Sequence, residues 1–268
     1  MHGRRADGRS RARTLFLSDI HLGFRRARAG ELAEFLRGVD AQCIVLVGDI
    51  VDALSLGKRF YWAAEHTEVL RLLLARRRAG VRLVYLPGNH DAGLGILADM
   101  LHGQLEVHRE FVHRTAQGAR LLVLHGDQFE GTLGCPGWLY RLGDALYEGA
   151  LAVNHCLNDL RRRLRQPYRP FTERLKLALP TSARYIERFE RVAAAHAAVQ
   201  GFDGVVCGHI HRANLRRIDG TIYGNTGDWV ESCSALIEDE RGELRLERWP
   251  HGPRTAFRLA PPLIADAA

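Results

Sequence analysis

The chain lacks the features that would place it in a membrane, in a secretory pathway or around a thiolate metal site. No stretch reaches the roughly 18 uninterrupted apolar residues that a membrane-spanning helix needs, so we expect no transmembrane segment. The first residues contain no apolar signal-peptide core. The five cysteines are widely spaced and include no C-x-x-C pair. This scatter predicts free thiols in a reducing, cytoplasmic compartment.

Most of the chain is only mildly basic, although its net charge is +7. Residues 1–13 hold five arginines and one aspartate, so this short tail carries four of the seven excess charges. We predict a disordered basic tail over 1–13, followed by a single domain over 14–268. The tail is compatible with peripheral contact with an anionic membrane surface. Nucleic acid is not expected as a partner, because the remainder is only mildly basic.

Apolar runs along the chain repeatedly end in residues that bind metals or transfer protons. The runs are TLFLSDIH at 14–21, CIVLVGDIVD at 43–52, RLVYLPGNHD at 82–91, ARLLVLHGD at 119–127, DGVVCGHIH at 203–211 and TIYGNTGDW at 221–229. Helix-like segments near 30–37 and 59–78 separate the first three, which predicts an α/β fold around a largely parallel sheet. Ligands bind at the carboxyl ends of such strands, so we expect one common site.

The spacing of the donors indicates two metal ions. Asp19 and His21 are two residues apart, as are His209 and His211, and this spacing places side chains on the same side of an extended chain. Three more donors follow apolar runs singly: Asp49, Asn89 and His125. Seven oxygen and nitrogen donors exceed one tetrahedral site and suit two divalent ions that share a carboxylate. We expect Mn²⁺, with Fe or Zn²⁺ as alternatives, and hydrolysis of phosphoesters as the natural chemistry.

Five blocks of this pattern together resemble the calcineurin-like metallophosphoesterases. They are D-x-H at 19–21, GD-x-x-D at 48–52, GNHD at 88–91, HGD at 125–127 and GHIH at 208–211. The resemblance implies a four-layer α/β/β/α sandwich with a dinuclear site. It assigns one ion to Asp19, His21, Asp49 and His211, and the other to Asp49, Asn89, His125 and His209. It also makes His90 the catalytic imidazole near the scissile phosphate, with Asp91 as the carboxylate that orients His90.

Several longer stretches are similar to the bacterial UDP-2,3-diacylglucosamine diphosphatases, which cleave a pyrophosphate in lipid A precursor metabolism. These stretches are SDIHLG, GDIVDAL, VVCGHIHRA and GNTGDWVES. The chain departs from those enzymes at His90, where the best-known members carry arginine. The resemblance therefore implies a sister group. The expected substrate is a phosphorylated lipid-like molecule or a nucleotide sugar.

A helical insertion at about 133–200 is expected to form a lid that selects the substrate. Apolar residues recur every three or four positions between Trp138 and Leu164, as in an amphipathic helix. By the resemblance, anionic groups of the substrate would contact Arg161, Arg162, Tyr168 and Lys176, and acyl chains would contact the apolar face. The alternatives are a solvated arginine run at a helix end and an apolar stripe that belongs to the core.

Three acidic residues beside the blocks are assigned supporting roles. Asp52 is expected in the first turn of a helix, where a carboxylate complements the helix dipole. Asp127 and Asp228 are expected to support metal-binding histidines.

Other functions are compatible with the same residues. A phosphodiesterase or phosphatase acting on another lipid or nucleotide would use the same site, and a nuclease is a weaker alternative because no basic and aromatic stacking surface is evident. A non-enzymatic scaffold that kept the fold is the least favoured alternative, because both the ligand set and GNHD are intact.

Overall fold

A computed structural model describes residues 10–58, 60–91, 105–133, 180–249 and 255–257, together with positions 153, 157, 160, 161 and 164. Within these residues the strands form two sheets. The strands are β1 Ser10–Leu17, β2 Val39–Val47, β3 Arg82–Leu86, β4 Glu106–Val107, β5 Phe111–Arg114, β6 Arg120–Val123, β7 Gly204–Cys207, β8 Asn214–Ile218, β9 Thr221–Asn225, β10 Ser234–Glu238, β11 Leu244–Arg248 and β12 Thr255–Phe257. The helices are α1 Ala29–Gly38, α2 Ala53–Lys58, α3 Ala64–Arg78, a 3-10 helix at Asp127–Leu133, and α4 Pro180–Val199.

Parallel pairing aligns the strand ends that carry the blocks of polar residues. The first sheet has the order β12-β11-β10-β1-β2-β3-β4, and the second has the order β5-β6-β7-β9-β8. In the first sheet, β1, β2 and β3 run parallel, with Leu17 opposite Leu46 and Val47 opposite Leu86. In the second sheet, β6, β7 and β9 also run parallel. The loops that follow these strands therefore leave each sheet at one edge.

Three apolar layers hold the two sheets and the helices together. Along β1, Leu15 and Leu17 face α1 and α3, whereas Phe16 faces the second sheet. Both faces of the strand are thus buried, which explains its unbroken apolar run. The outer face of the second sheet packs against α4 through a third cluster that includes Phe189. Helix, sheet, sheet and helix form the four layers, and the predicted α/β fold class is confirmed.

A buried carboxylate also connects the two sheets. Glu238 on β10 accepts hydrogen bonds from Arg13 Nη1 at 2.8 Å, from His113 Nε2 at 2.7 Å and from the backbone N–H of Ala116 at 2.7 Å. Its side chain is fully buried. Although burial alone would raise the pKa of Glu238, the contacts with His113 and the other donors hold it below its usual value.

Two predicted boundaries need correction. The tail was expected to extend to residue 13, but β1 begins at Ser10 because residues 10–13 pair with β2. The insertion was expected to extend to about residue 200, but α4 belongs to the domain core. Its residues Phe189, Ala193 and Ala197 are fully buried against the second sheet. Helix α4 is therefore not part of the predicted insertion, whose remaining residues lie mostly outside the described part of the chain.

Candidate metal centre

The candidate site lies at the carboxyl edge of both sheets, where left-handed backbone is concentrated. Among the described residues other than glycine, seven have positive φ, and five of these are predicted ligands. The five are Asp19, His21, Asp49, His209 and His211, with φ between 50° and 69°. Such conformations cost on the order of 1–3 kcal/mol each, although Asp and His tolerate them better than most residues. Strain concentrated on candidate ligands is typical of a functional site.

Glycines allow the chain segments to approach closely around these side chains. A Cβ on Gly88 would lie 2.6 Å from the backbone nitrogen of Asp49 and 2.8 Å from His125 Nε2. A Cβ on Gly48 would overlap the ring of His125, and one on Gly208 would overlap Asp19 and Ser18. The GD, GNHD and GHIH blocks therefore need glycine because the ligands of neighbouring segments fill that space.

The first group of donors consists of Asp19, His21 and His211. His211 Nε2 lies 3.2 Å from Asp19 Oδ1 and 3.3 Å from His21 Nε2. Asp49 Oδ2 is 3.8 Å from His21 Nε2. Two ligands bonded to one ion at about 2.1 Å lie roughly 3.0–3.4 Å apart for octahedral or tetrahedral angles. The distances from His211 to Asp19 and to His21 are therefore those of ligands on one ion, whereas His21 lies farther from Asp19, at 4.0 Å from its Oδ1.

The second group lies on the other side of Asp49. His125 Nε2 is 3.3 Å from Asp49 Oδ2 and 3.3 Å from Asn89 Oδ1. The Nδ1 atom of His125 lies 2.9 Å from the carbonyl oxygen of Val47. Because a carbonyl can only accept, Nδ1 carries the proton in this bond, and Nε2 of the neutral ring keeps its lone pair for a metal. Asp49 stands between the two groups, as a bridging carboxylate would.

His209 differs from the other predicted ligands. Among the described side chains, three groups of acidic and imidazole donors have ligand atoms within 4.8 Å of one another, and His209 belongs to none of them. Its Nε2 instead lies 2.8 Å from Glu130 Oε1. The structure therefore brings six of the seven predicted ligands together directly and places His209 beside a carboxylate that sequence reasoning missed.

Asp52, rather than Asp91, contacts His90. Asp52 Oδ1 lies 3.1 Å from His90 Nδ1, and its Oδ2 lies 3.3 Å from His21 Nδ1. The same carboxylate accepts the backbone N–H of Ser55 at 2.8 Å. Asp52 was predicted in the first turn of a helix, but it directly precedes α2 and caps the N-terminus of that helix. The residue also connects a candidate ligand with the candidate catalytic histidine.

Asp91 has a different role from the one expected. Its carboxylate accepts the backbone N–H groups of Ile50, Val51 and Gly88 at 2.8–3.2 Å, and no described contact joins it to the ring of His90. Burial raises its pKa. Asp91 therefore fixes the loop after β2 against the loop after β3, and the predicted orientation of His90 by Asp91 is corrected.

His90 lies at the opening of the site. Its backbone N–H donates to Asp49 Oδ1 at 2.8 Å, which fixes the chain beside the candidate bridging carboxylate. About one third of its side chain is exposed. Its ring meets the ring of His21 edge-on, with centroids 4.8 Å apart. A molecule entering the site would therefore reach His90, whereas His21 and His125 are buried.

The buried charges perturb each other in the direction expected for a cation site. Although burial alone would raise the pKa of Asp19, contact with His211 holds it well below its usual value. For His125 the effects have opposite signs: burial alone would lower its pKa, but contact with Asp49 raises it to about 10. The pKa of His21 is also raised, because the contacts with Asp52 and Asp49 outweigh burial. The same negative field would attract metal ions, whose binding displaces protons from the ligands.

Polar residues at the end of β9 and in the loop that follows it hold the loops of the site in place. The side-chain amide of Asn225 donates to the carbonyl of Gly208 at 2.7 Å, which fixes the GHIH loop. Asp228 accepts backbone N–H groups of Val230 and the two following residues. No described contact joins Asp228 to a histidine, so its expected role as a support for a metal-binding histidine is corrected. Asp127 starts the 3-10 helix, and no described contact tests its expected role.

Only one predicted substrate residue lies in the described part of the chain. Arg161 is helical and half-buried, whereas Arg162, Tyr168 and Lys176 lie outside the described residues. Four apolar side chains of the same segment are described and are exposed by about half: Val153 55%, Leu157 46%, Leu160 54% and Leu164 62%. These four therefore do not belong to the core.

The residues present fit divalent metal ions. Asp19 is fully buried, and its Oδ1 has no hydrogen bond of good geometry to any described residue although it faces the ring of His211. His21 Nε2 and His211 Nε2 point at each other across 3.3 Å. Buried carboxylates and convergent imidazole nitrogens are stable together when a cation lies between them. None of the three described cysteines, Cys43, Cys207 and Cys233, belongs to a donor group.

Comparison with known proteins agrees with this geometry. The sequence matches the profile of the calcineurin-like phosphoesterase family over residues 12–213, which is most of the chain. The chain belongs to this family and is a hydrolase acting on phosphoester bonds. The family uses divalent metal ions, and the clustered side chains are possible ligands for them. Comparison with curated proteins gives no match.

Solved structures with a similar chain path include YfcE, a phosphoesterase from E. coli, with 15% identity, a TM-score of 0.47, and coverage of 91% of this chain and 99% of that one. Vacuolar protein sorting 29 from Cryptosporidium parvum has 12% identity, a TM-score of 0.47, and coverage of 91% and 94%. The phosphopantetheinyl hydrolase PptH from Mycobacterium tuberculosis has 16% identity, a TM-score of 0.43, and coverage of 82% and 91%. The family assignment rests on the sequence match alone.

None of the described helices has the length and apolar character needed to cross a bilayer.

Proposed function

We propose that the chain is a dinuclear metal-dependent hydrolase of phosphoester or pyrophosphate bonds. The observation that carries this proposal is the position of Asp49 between two sets of donors. Asp19, His21 and His211 lie on one side, and Asn89 and His125 lie on the other. Asp49 lies 3.3 Å from His125 and 3.8 Å from His21, so a single carboxylate reaches both sets.

The seven predicted ligands are assigned to the two positions as the resemblance implies. Asp19, His21, Asp49 and His211 hold one ion, and Asp49, Asn89, His125 and His209 hold the other. Mn²⁺ is the expected ion, because oxygen and imidazole donors without thiolate suit it. Two bound divalent ions polarise a phosphoryl group and lower the pKa of a bound water.

His90 serves as the catalytic imidazole. Asp52 accepts from its Nδ1–H, so Nε2 is the atom that exchanges a proton with the substrate. Part of the ring is exposed at the opening of the site, where a leaving oxygen would lie. The contact with Asp52 fixes the orientation of the ring, so that Nε2 can donate a proton to that oxygen. Asp91 supports this arrangement through the loop backbone rather than through the ring.

We infer a substrate with a lipid-like part, and UDP-2,3-diacylglucosamine is the best single candidate. The exposed side chains Val153, Leu157, Leu160 and Leu164 recur at helical spacing and support binding of acyl chains. Arg161 lies within the same segment, and Arg162, Tyr168 and Lys176 are proposed to bind anionic groups with it. A cytoplasmic location with peripheral contact between the basic tail and an anionic membrane remains a prediction.

Two substitutions test the reaction. His90→Ala is expected to lower turnover by about 10²–10⁴-fold while two Mn²⁺ remain bound, because it removes only proton transfer. Asp49→Asn is expected to lose both turnover and metal. Loss of turnover is measured with an aryl phosphodiester, and loss of metal is measured by inductively coupled plasma mass spectrometry. Full turnover in both variants would contradict the proposed site.

The substrate is tested separately. Purified protein with Mn²⁺ is incubated with UDP-2,3-diacylglucosamine, with plain UDP-sugars and with lipid phosphates, and the products are identified by mass spectrometry. Release of UMP only from the acylated substrate is the expected result. Equal cleavage of acylated and plain UDP-sugars would contradict an acyl-binding lid.

A further inference from the structure

Two buried hydroxyl groups lie beside one oxygen of the candidate ligand Asp19. Ser18 Oγ donates to Asp19 Oδ2, and Thr226 Oγ1, in the loop after β9, contacts Ser18 Oγ. Ser18 and Thr226 are both fully buried. The backbone N–H of His209 donates to the same carboxylate oxygen at 3.0 Å. Asp19 Oδ2 therefore accepts two hydrogen bonds, one from its own segment and one from the GHIH block.

The other oxygen of Asp19 has a different environment. Oδ1 is buried and has no hydrogen bond of good geometry to any described residue, and it lies 3.2 Å from His211 Nε2. A buried carboxylate oxygen costs free energy unless a hydrogen bond or a cation compensates for the lost water. The two oxygens thus have separate tasks, because Oδ2 is anchored to the protein and Oδ1 is available to an ion.

The direction of the hydroxyl contacts follows from the number of protons. Each hydroxyl has one proton, and an ionised carboxylate can only accept. Ser18 Oγ also lies 3.0 Å from the carbonyl oxygen of Gly227, which is a neutral acceptor. Because hydrogen bonds to charged acceptors are roughly twice as strong, the Ser18 proton goes to Asp19. Thr226 then donates to Ser18, so the donors run from Thr226 through Ser18 to Asp19.

The loop that carries Thr226 is fixed on both sides. The backbone N–H of Thr226 donates to the carbonyl oxygen of Cys207 at 3.0 Å, and the carbonyl oxygen of Thr226 accepts from Ser234 Oγ at 2.8 Å. A Cβ on Gly208 would overlap Ser18 Oγ, so glycine at this position leaves the room that the hydroxyl occupies. The contact between Thr226 and Ser18 therefore connects a rigid loop with the strand end that supplies Asp19.

We propose that Ser18 and Thr226 are positioning residues that hold Oδ2 of Asp19 and leave Oδ1 as its metal-binding oxygen. This inference rests on the proposed dinuclear function. Groups that hydrogen-bond to a ligating carboxylate fix its orientation and increase metal affinity. Without the Ser18 hydroxyl, only the N–H of His209 would hold Oδ2, and the carboxylate would be free to rotate. The two hydroxyls thus act on the ion assigned to Asp19 and His211.

Calorimetric titration of the chelator-treated protein with Mn²⁺ alone tests this role. Ser18→Ala is expected to weaken one of the two binding steps by about 10–100-fold, the range for loss of a contact that orients a ligand. That step should be the one that Asn89→Ala leaves unchanged, because Asn89 is assigned to the other ion. Thr226→Val should weaken the same step less, because Ser18 keeps its own proton. Thr226→Ser retains the hydroxyl and should keep the wild-type affinity.

Ser234→Ala is the matched control for Ser18→Ala. It also removes a buried hydroxyl, one that donates to the carbonyl oxygen of Thr226, but Ser234 makes no described contact with Asp19. Urea unfolding should show a lower midpoint in both variants, because each loses a buried hydrogen bond. Mn²⁺ affinity should fall only in Ser18→Ala.

The outcomes separate this inference from the proposed function. A wild-type chain that fails to bind two ions would contradict the dinuclear function itself. Two wild-type binding steps in both Ser18→Ala and Thr226→Val would overturn only the positioning role. Equal weakening in Ser18→Ala and Ser234→Ala would also overturn it, because lost packing would then explain the change. If Ser18→Ala does not fold, the comparison of Thr226→Val with Thr226→Ser decides, and equal affinities in that pair overturn the proposal.

Discussion

Replacing Asp52 with asparagine removes one charge and keeps the shape of the side chain. Asp52 accepts from Nδ1 of both His90 and His21, at 3.1 and 3.3 Å. Burial alone would raise the pKa of Asp52, but the contact with His21 and then that with His90 hold it well below its usual value. An amide has one oxygen and one NH₂ group, so it can accept from only one of the two rings. The other ring must then turn or move its proton to Nε2.

The size of the loss in metal affinity or in kcat depends on which of the two rings is left without its carboxylate. If His21 moves its proton to Nε2, that nitrogen can no longer bind metal, and loss of such a supporting contact costs about 10–100-fold in affinity. If His90 loses its carboxylate instead, part of a general-acid contribution of about 10²–10⁴-fold is lost. We therefore expect Asp52→Asn to weaken binding of the first Mn²⁺ at least tenfold or to lower kcat about 100-fold at saturating Mn²⁺.

Calorimetry with Mn²⁺ and steady-state hydrolysis of an aryl phosphodiester measure both quantities. Ser55→Ala is the matched control, because the Ser55 hydroxyl donates to Asp52 Oδ2 at 2.7 Å and touches neither ring in the described structure. The control should keep wild-type metal affinity and kcat within about threefold. Wild-type values of both quantities in Asp52→Asn would refute the argument, since the charge of Asp52 would then orient neither histidine.

Three further substitutions test the packing and the buried charges. Gly88→Ala places a Cβ 2.6 Å from a backbone nitrogen, so it should destabilise the fold by about 1–3 kcal/mol and weaken metal binding. Gly38→Ala is the control, because a Cβ there would meet nothing within 4 Å and should change neither quantity. Urea unfolding and Mn²⁺ titration measure the two effects. Glu238→Gln should lose about 3 kcal/mol at pH 7. Contact with His113 helps to hold the folded pKa of Glu238 below 4.5, so this stabilisation is present above pH 4.5 and is lost as the pH falls through the folded pKa. The difference in unfolding free energy between the two proteins should therefore shrink as the solution is acidified below pH 4.5, and a constant difference would contradict the assignment. Phe189→Ala should cost about 3–5 kcal/mol in urea unfolding, and a loss below 1 kcal/mol would show that α4 is not part of the core.

The order of the polar blocks in the sequence was sufficient to predict their convergence. Each block directly follows an apolar run, and parallel strands bring their carboxyl ends to one edge because of their direction alone. The pairs Asp19 with His21 and His209 with His211 could be recognised for the same reason. Helices α1 and α3 were also predictable, since apolar residues at helical spacing separate the strands.

Contacts between segments distant in sequence could not be predicted in this way. Asp91 follows His90 directly, yet its carboxylate turns to the backbone of the neighbouring loop, and Asp52, 38 positions away in the sequence, reaches His90 instead. No sequence pattern indicated that Glu130 contacts His209, because Glu130 is a lone acidic residue in a polar stretch. The assignment of α4 to the core also required the second sheet, because an amphipathic helix has the same pattern in a lid and in a core.

By itself the sequence determined the family, the α/β layers and the six donors that cluster, because these depend on local patterns of apolar and polar residues along the chain. Tertiary structure alone decided which carboxylate faces which imidazole, because that choice depends on how the loops turn after each strand. Left-handed backbone at Asp19, Asp49 and His209 sets those turns, and neighbouring segments hold them in place.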